Sequence, residues 1–544
     1  MKTAAEVTPE KLRGGFYTPP ALVRFCLERV AELAPPDRTL RVLEPSAGDG
    51  AFLDGLARSP LEGRIADVLA FEILGTEAEK ARERLLSTGG RGEVVHGSSL
   101  VWAAQGGSFD FDLAVGNPPF VRFQFVSTDD REAAERLGAQ LGVSFRGVSN
   151  LWIPILLGAL HRLRAGGTFG FVLPAECFTG LSGQVARDWL LQNVEGLRFD
   201  LFPPGSFPGV RQEIAVMSGT RTLTGPARAQ IRITEHDRVG GSATWEHAVA
   251  EGASWMRYLL RPDHLEALEE ARSLERVRRL GEVVAFRVSI TTGANDFFSV
   301  ARETVDEFDL GRWARPLLPR ARHAEGLIYG AADQDATDRS GARSWLLDFG
   351  ADRPDPEGFA GPARYLRQGE LRELNGRYKC RIRDPWYRVP NLRRGALLMS
   401  KRSHSHPRVI VNEADVLTTD TIYRGRLLDP EAVDRRSVAA TFHNSLTLLT
   451  AEIEGRSFGG GVLELVPSEI GRLSLPVART AGRWLEDLDA AARSSNGYDL
   501  VAETDRRLAK AGIVPRHLLD TLADARFHML SRRMDRNEGE TVGG

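Results

Sequence analysis

Strand-like and helix-like segments alternate through residues 1–222, with small residues or prolines at the strand ends. No other feature of the chain restricts its fold as much. Apolar runs fall at Thr39–Leu43, Val68–Ile73, Glu93–Val95, Phe111–Val115, Thr168–Leu173, Arg198–Phe202 and Ile214–Met217. Charged helical stretches such as Thr76–Leu86 separate them, and Leu151–Leu163 reads as a buried helix stopped by Gly166 and Gly167. This rhythm predicts an α/β domain with a mostly parallel, seven-stranded sheet covered by helices on both faces, because parallel neighbours need crossover connections.

Open sheets of this kind bind ligands at the carboxyl ends of their strands. The first strand runs into Glu44-Pro45-Ser46-Ala47-Gly48-Asp49-Gly50, where small residues let the backbone approach a ligand. No GxGxxG and no Walker lysine are present, so phosphate is a poor candidate. A carboxylate at this tip, Glu44, suits a cationic or amine-bearing ligand. At the second tip Glu72, followed by Ile73, can accept both hydroxyls of a ribose. The third tip carries Ser98 and Ser99, and the fourth carries Asn117, Pro118, Pro119 and Phe120. Asn-Pro and Pro-Pro are ordinary turn signals, and Glu72 alone passes for a solvated strand end. Their occurrence in order at successive tips gives them a shared meaning.

With Gly15-Phe16-Tyr17-Thr18-Pro19-Pro20 ahead of them, these segments resemble the gamma-order S-adenosylmethionine-dependent amino-methyltransferases. That order includes the DNA adenine-N6 methyltransferases of restriction–modification systems. The resemblance covers the first domain and implies a class I (Rossmann-like) methyltransferase fold with S-adenosyl-L-methionine as cofactor. It implies that Tyr17, Thr18 and the Glu44, Pro45, Ser46, Ala47, Gly48 turn hold the methionine end. Glu72 and Ile73 would meet the ribose, and Ser98 and Ser99 the adenine. Many relatives have an aspartate where Ser98 stands, and a neutral hydroxyl is the weaker acceptor.

The Asn117-Pro118-Pro119-Phe120 segment has a physical rationale in amine chemistry. Conjugation flattens an aromatic amine and makes it a poor nucleophile. The Asn117 side-chain oxygen and the Pro118 carbonyl can accept its hydrogens and favour a tetrahedral nitrogen. Proline fixes φ, so these acceptors are rigidly aimed, and Phe120 offers a stacking face worth about 1–3 kcal/mol. A base inside a duplex would have to be flipped out to reach them. The resemblance places a second stacking ring after the sixth strand. Phe207 is the match, and it reads equally well as a core phenylalanine beside Pro208.

The length of 544 residues predicts roughly two to four domains, on the order of 150 residues each. We expect a catalytic domain at 1–222, a linker and helical connection at 223–284, a mixed α+β target-recognition domain at 285–480, and C-terminal helices at 481–544. Residues 538–544 should fray. Between Gly361 and Ile410, thirteen basic residues face only Glu370, Glu373 and Asp384, although the whole chain has a net charge of −2. Such polarity, with aromatics interleaved, predicts a double-stranded DNA footprint that includes Arg377, Lys379, Arg381, Arg383, Trp386, Arg393, Arg394, Lys401 and Arg402. Two segments, Thr292–Phe298 and Lys379–Tyr387, resemble the specificity domain of the same methyltransferases, and Pro467–Ile470 resembles its closing segment.

Cys26, Cys177 and Cys380 are too scattered for a zinc site or a disulfide framework. None lies in a Pro-Cys turn, which disfavours C5-cytosine chemistry. His404 and His406 lack neighbouring ligands, so no metal is expected. The N-terminus has no apolar signal core, and Leu151–Leu160 is too short to cross a bilayer. A cytoplasmic protein without membrane contact is expected. The early position of the cofactor motifs leaves no room for a fused nuclease, so a restriction endonuclease partner would be a separate chain. Other readings are methylation of cytosine N4, an RNA guanine amine or a protein glutamine, or a non-catalytic DNA-binding subunit with a relic methylase fold.

Overall fold

The computed structural model describes residues 17–535, apart from 109, 149, 179–182, 209, 211–212, 226–228, 251–253, 432, 459–460 and 495–496. Gly15, Phe16 and the stretch 538–544 lie outside the described residues. The chain forms two compact units, one reaching Pro262 and the other spanning Asp263–Arg533.

The first unit is built on one sheet. Its strands are β1 (Leu40–Glu44), β2 (Ile65–Glu72), β3 (Gly92–His96), β4 (Phe111–Gly116), β5 (Leu163–Pro174), β6 (Val194–Phe202), β7 (Ile214–Arg221), β8 (Gln230–His236) and β9 (Ser242–Ala248). Its helices are α1 (Pro20–Leu33), α2 (Ala51–Leu56), α3 (Gly75–Ser87), α4 (Ser99–Ala104), α5 (Thr128–Leu141), α6 (Trp152–His161) and α7 (Gln184–Asn193). The strand order is 3-2-1-4-5-7-6-8-9. Strands β3, β2, β1, β4 and β5 run parallel, and β7 inserts antiparallel between β5 and β6. The first seven strands have the class I methyltransferase arrangement.

The sheet has nine strands rather than seven. Residues 223–284, expected as a linker and helical connection, contribute β8, parallel to β6, and β9, antiparallel to β8. Ile231 and Ile233 are fully buried, and Trp245 and His247 nearly so. This one-sided burial adds β8 and β9 to the sheet. Gly166 and Gly167 also differ from expectation. They lie within β5, in an irregularity between the pairs Phe111–Leu163 and Leu113–Thr168, and the helix ends earlier, at His161.

Helix α1 fixes the segment around Thr18 to the sheet. Pro20 occupies its first turn, where the missing N–H costs nothing. Leu22, Val23, Cys26, Leu27 and Val30 enter the main core with β-strand residues Val42, Val115 and Val172. Gly170 of β5 permits this close approach. A Cβ there would collide with Val30 Cγ2 and lie 2.9 Å from Cys26 Sγ. Gly170→Ala should therefore cost about 1–3 kcal/mol, read as a lower urea midpoint at unchanged slope. An unchanged midpoint would show that α1 can shift freely.

The second unit is α+β. A five-stranded sheet contains Val284–Arg287, Ile422–Leu427, Leu397–Ser400, Val409–Asn412 and Ile328–Tyr329, in that order. A four-stranded sheet contains Ser299–Val300, Trp345–Leu347, Ala314–Leu318 and Leu417–Thr418. Helices Leu485–Arg493, Gly497–Lys510 and Arg516–Asp535 follow.

Candidate functional site

Across the sheet, the strand tips stand in the order Ser98, Glu72, Glu44, Asn117, because β3, β2, β1 and β4 are successive neighbours. Their loops are tied together. The Ala47 amide donates to the Phe71 carbonyl at 2.8 Å. The Gly48 amide donates to Glu72 Oε2 at 3.0 Å, and the Leu74 amide to Glu72 Oε1 at 2.8 Å. Ser46 Oγ donates to the Asn117 carbonyl at 3.2 Å. Each Glu72 oxygen thus holds one backbone N–H and keeps a lone pair for a ligand hydroxyl.

Glu44 is fully buried, and neither of its carboxyl oxygens has a hydrogen-bond partner among the described residues. Burial, reinforced by the negative charges of Glu72 and Asp49, raises its pKa well above the usual carboxylate range. A buried carboxyl with acidic neighbours and no counter-charge among the described residues suits a cationic ligand.

Gly116 ends β4 with φ of +154°, a conformation that glycine adopts without strain. The chain therefore turns sharply at the strand end and presents Asn117. Asn117 Nδ2 donates to Thr18 Oγ1 at 3.1 Å. Its Oδ1 is buried and has no partner among the described residues. Thr18 is itself buried, at the entry to α1. The amide is thus held by its nitrogen, leaving its oxygen free to accept. Pro118 is buried, while Pro119 and Phe120 are half-buried.

Other predicted residues have structural partners. Tyr17 is exposed and its hydroxyl donates to Glu77 Oε2 at 3.0 Å, which ties it to α3. Ser99 is buried in the first turn of α4. Phe207 is half-buried and packs edge-on against Phe202 at 5.0 Å, at the margin of the core. Ile73 is exposed beside Glu72.

In the second unit, the segments Thr292–Phe298 and Lys379–Tyr387 pack together. Arg383 donates to the Thr292 carbonyl at 2.7 Å and the Thr291 carbonyl at 3.0 Å. The Phe297 ring lies 4.6 Å from Tyr365 and 5.5 Å from Trp386, inside one hydrophobic cluster. Arg383 and Trp386, expected on a DNA surface, are therefore engaged in holding this core. Lys401 and Arg402 face Glu464 at 3.5 and 2.6 Å, and Arg394 pairs with Asp415 at 2.9 Å. Arg377, Lys379, Arg381 and Arg393 are exposed, with no ion pair among the described residues. Exposed Tyr378 and Ile382 stand among the first three.

Among the described residues, no group of three or more His, Cys, Asp or Glu is arranged to hold a metal, and no helix is long and apolar enough to cross a membrane. Burial beside Arg526, Arg408 and Arg533 pushes the His406 imidazole down to about 4, which keeps it neutral.

Two family models match the chain. Residues 77–200 match the Eco57I restriction-modification methylase, and residues 252–509 match the C-terminal domain of the type II methyltransferase M.Eco57I. Both matches support a restriction–modification methyltransferase of the gamma class. It is similar to the type II methyltransferase M.AccI of Acinetobacter calcoaceticus, with 20% identity over 79% of this chain and 80% of the relative. It is also similar to the type II methyltransferase M.XamI of Xanthomonas campestris pv. amaranthicola, with 22% identity over 85% of each chain. Among solved structures, the type IIL restriction-modification enzyme MmeI in complex with DNA is 12% identical over 94% of this chain and 71% of that one, with a TM-score of 0.48.

The methyl donor of this methylase is S-adenosyl-L-methionine. The site fits it. The unpartnered Glu44 carboxyl suits its cationic end, and the Glu72 lone pairs suit its ribose hydroxyls. One residue of the site was not apparent from the sequence. Asp130, in the first turn of α5, reaches back to accept from Ser98 Oγ at 2.5 Å. Ser127 begins a helix N-cap signature ending at Asp130, but nothing in the linear pattern brings that helix to the third strand tip.

Proposed function

We propose that this methylase transfers a methyl group to N6 of an adenine flipped out of double-stranded DNA, as the modification half of a restriction–modification system. The observation that carries the reading is the buried, unpartnered Asn117 Oδ1, held at the tip of β4 through the Thr18 contact. An unsatisfied buried acceptor is costly, and an exocyclic amine supplies the missing N–H. The Pro118 carbonyl is the natural second acceptor, and the half-buried Phe120 ring offers a stacking face. S-adenosyl-L-methionine supplies an electrophilic methyl on a sulfonium. The chain holds the amine in place and favours a pyramidal nitrogen, so positioning carries much of the catalysis.

We assign the first unit to catalysis and the second to DNA recognition. Exposed Arg377, Lys379, Arg381 and Arg393 support the latter as phosphate or base contacts. The order of the motifs, with Thr18-Pro19 ahead of the cofactor loop, favours adenine.

Nucleoside mass spectrometry of plasmid DNA incubated with the protein and S-adenosyl-L-methionine tests the reading. N6-methyladenine is the expected product. N4-methylcytosine would move the target base, and no modified nucleoside despite cofactor binding would remove DNA as the substrate.

A further inference from the structure

The third strand tip lacks the carboxylate that an adenine amine would prefer, yet the fold brings one there. Ser98 caps α4, and its Oγ accepts the Val101 N–H at 3.3 Å. The same Oγ lies 2.5 Å from Asp130 Oδ1, from a residue 32 positions further along the chain. The other carboxylate oxygen, Oδ2, accepts from Ser127 Oγ at 2.7 Å. Asp130 is buried. Ser98 and Asp130 both line a cavity of about 660 Å³, walled by Phe71, Ile73, Val101 and Trp102.

The position of this cavity follows from the strand order. β3 is the edge strand, so beyond Glu72 the line of tips ends at Ser98. If Glu72 takes the ribose and Glu44 the cationic end, the base must extend toward Ser98. The cavity there sets the apolar Phe71, Val101 and Trp102 beside the Ser98–Asp130 pair, with Glu93, Gln105, Ser127 and Asp129 also on its lining, a mix that suits a purine.

We infer that Asp130 is a positioning residue for the cofactor adenine, acting through Ser98; this rests on the cofactor assignment above. The carboxylate takes the only proton of the Ser98 hydroxyl. The Oγ then has only lone pairs to offer, one toward Val101 N–H and one toward the cavity. A hydroxyl polarised in this way is a better acceptor than an isolated one. It selects a ring with an exocyclic amine over one with a carbonyl at the same position. Two residues thus perform what a single strand-tip carboxylate would do.

The test compares S-adenosylhomocysteine with S-inosylhomocysteine, which carries a carbonyl in place of the amine, by titration calorimetry. Wild-type protein should prefer the adenosyl compound by about tenfold or more. Asp130→Ala removes the acceptor and leaves the Ser98 proton free to turn into the cavity, so the preference should shrink to about threefold or less. Ser98→Ala, which keeps the Ser127–Asp130 cap, should shrink it similarly and serves if Asp130→Ala unfolds. A purely structural role for Asp130 would lower the melting temperature and leave the ratio intact. An unchanged ratio in both folded variants, or in Ser98→Ala alone, overturns the inference. Wild-type protein that binds neither compound would instead overturn the cofactor assignment.

Discussion

Asn117→Ala is expected to lower methyl transfer by about 10³-fold, with affinities for cofactor and DNA within about threefold of wild type. The magnitude follows from removing one preorganised polar group aimed at a reacting centre, which typically costs about 10²–10³ in rate. The Asn117 backbone carbonyl, not its side chain, holds Ser46, so the turn that begins the cofactor loop keeps its anchor in the variant. Gly116 still sets the bend of the chain. What disappears is the Oδ1 acceptor and the Nδ2 contact with Thr18. Thr18→Val offers a graded comparison. It removes the partner of Nδ2 but leaves Oδ1 in place, so a loss of about tenfold in kcat is expected, and a rise in KM for cofactor would report the part of Thr18 in holding the methionine end. Single-turnover methylation of a defined duplex separates the two variants. Near-normal transfer by Asn117→Ala would remove Asn117 from the chemistry, and equal losses in both variants would assign Thr18 a larger part than orientation.

The contrast between Asn117 and Asp130 explains how much of this site could be read from the sequence. Glu44, Glu72, Ser98 and Asn117 each end a strand, and strand ends show in the local alternation of apolar and small residues. The parallel topology then brings these ends to one edge of the sheet. Asp130 lies on a helix, and its approach to Ser98 depends on how α5 packs in three dimensions. Periodicity carries no such information. The Thr18 contact is intermediate: the motif located the residue, but its hydrogen bond to an amide 99 positions away is a tertiary fact.

The basic stretch illustrates the opposite error. Counting charges along Gly361–Ile410 treats every arginine as a surface charge. Half-buried Arg408 donates to the Glu325 and Ala321 carbonyls, and half-buried Arg383 to the Thr291 and Thr292 carbonyls. Glu464, 62 positions beyond Arg402, supplies acid that the local window lacked. Guanidinium groups satisfy backbone carbonyls well because they present several donors in a fixed plane. Acid depletion along a chain therefore overstates the free basic surface, although Arg377, Lys379, Arg381 and Arg393 of the residues expected on DNA remain exposed with no ion pair among the described residues. Strands β8 and β9 were legible in principle, since Ile231 and Ile233 alternate with polar neighbours, but the surrounding Gly and charged residues resembled a linker.

Glu44→Gln should weaken S-adenosyl-L-methionine binding on the order of 10²-fold, the scale of breaking one buried charge pair. Glu44 is buried with no hydrogen-bond partner among the described residues, and the groups that bear on it are also acidic. Glu72 is occupied by the Gly48 and Leu74 amides, and Asp49 by Arg84 at 2.7 Å, so neither relieves it. Its pKa is raised in the folded state, so its favourable contribution is complete below the ordinary carboxylate range. That contribution is lost as pH rises through the raised value. Ligand-free wild-type protein should thus lose stability as pH rises from the ordinary carboxylate range through the raised value, whereas Glu44→Gln, which cannot ionise, should lose less and melt a few degrees higher above it. Glu44 should release its proton when a cation binds beside it. Calorimetry at several pH values above the ordinary carboxylate range, in buffers of different ionisation enthalpy, should therefore show proton release on binding by the wild type and less by the variant. Equal proton counts in the two proteins, or undiminished affinity in Glu44→Gln, would mean that the charge of the cofactor is met elsewhere in the site.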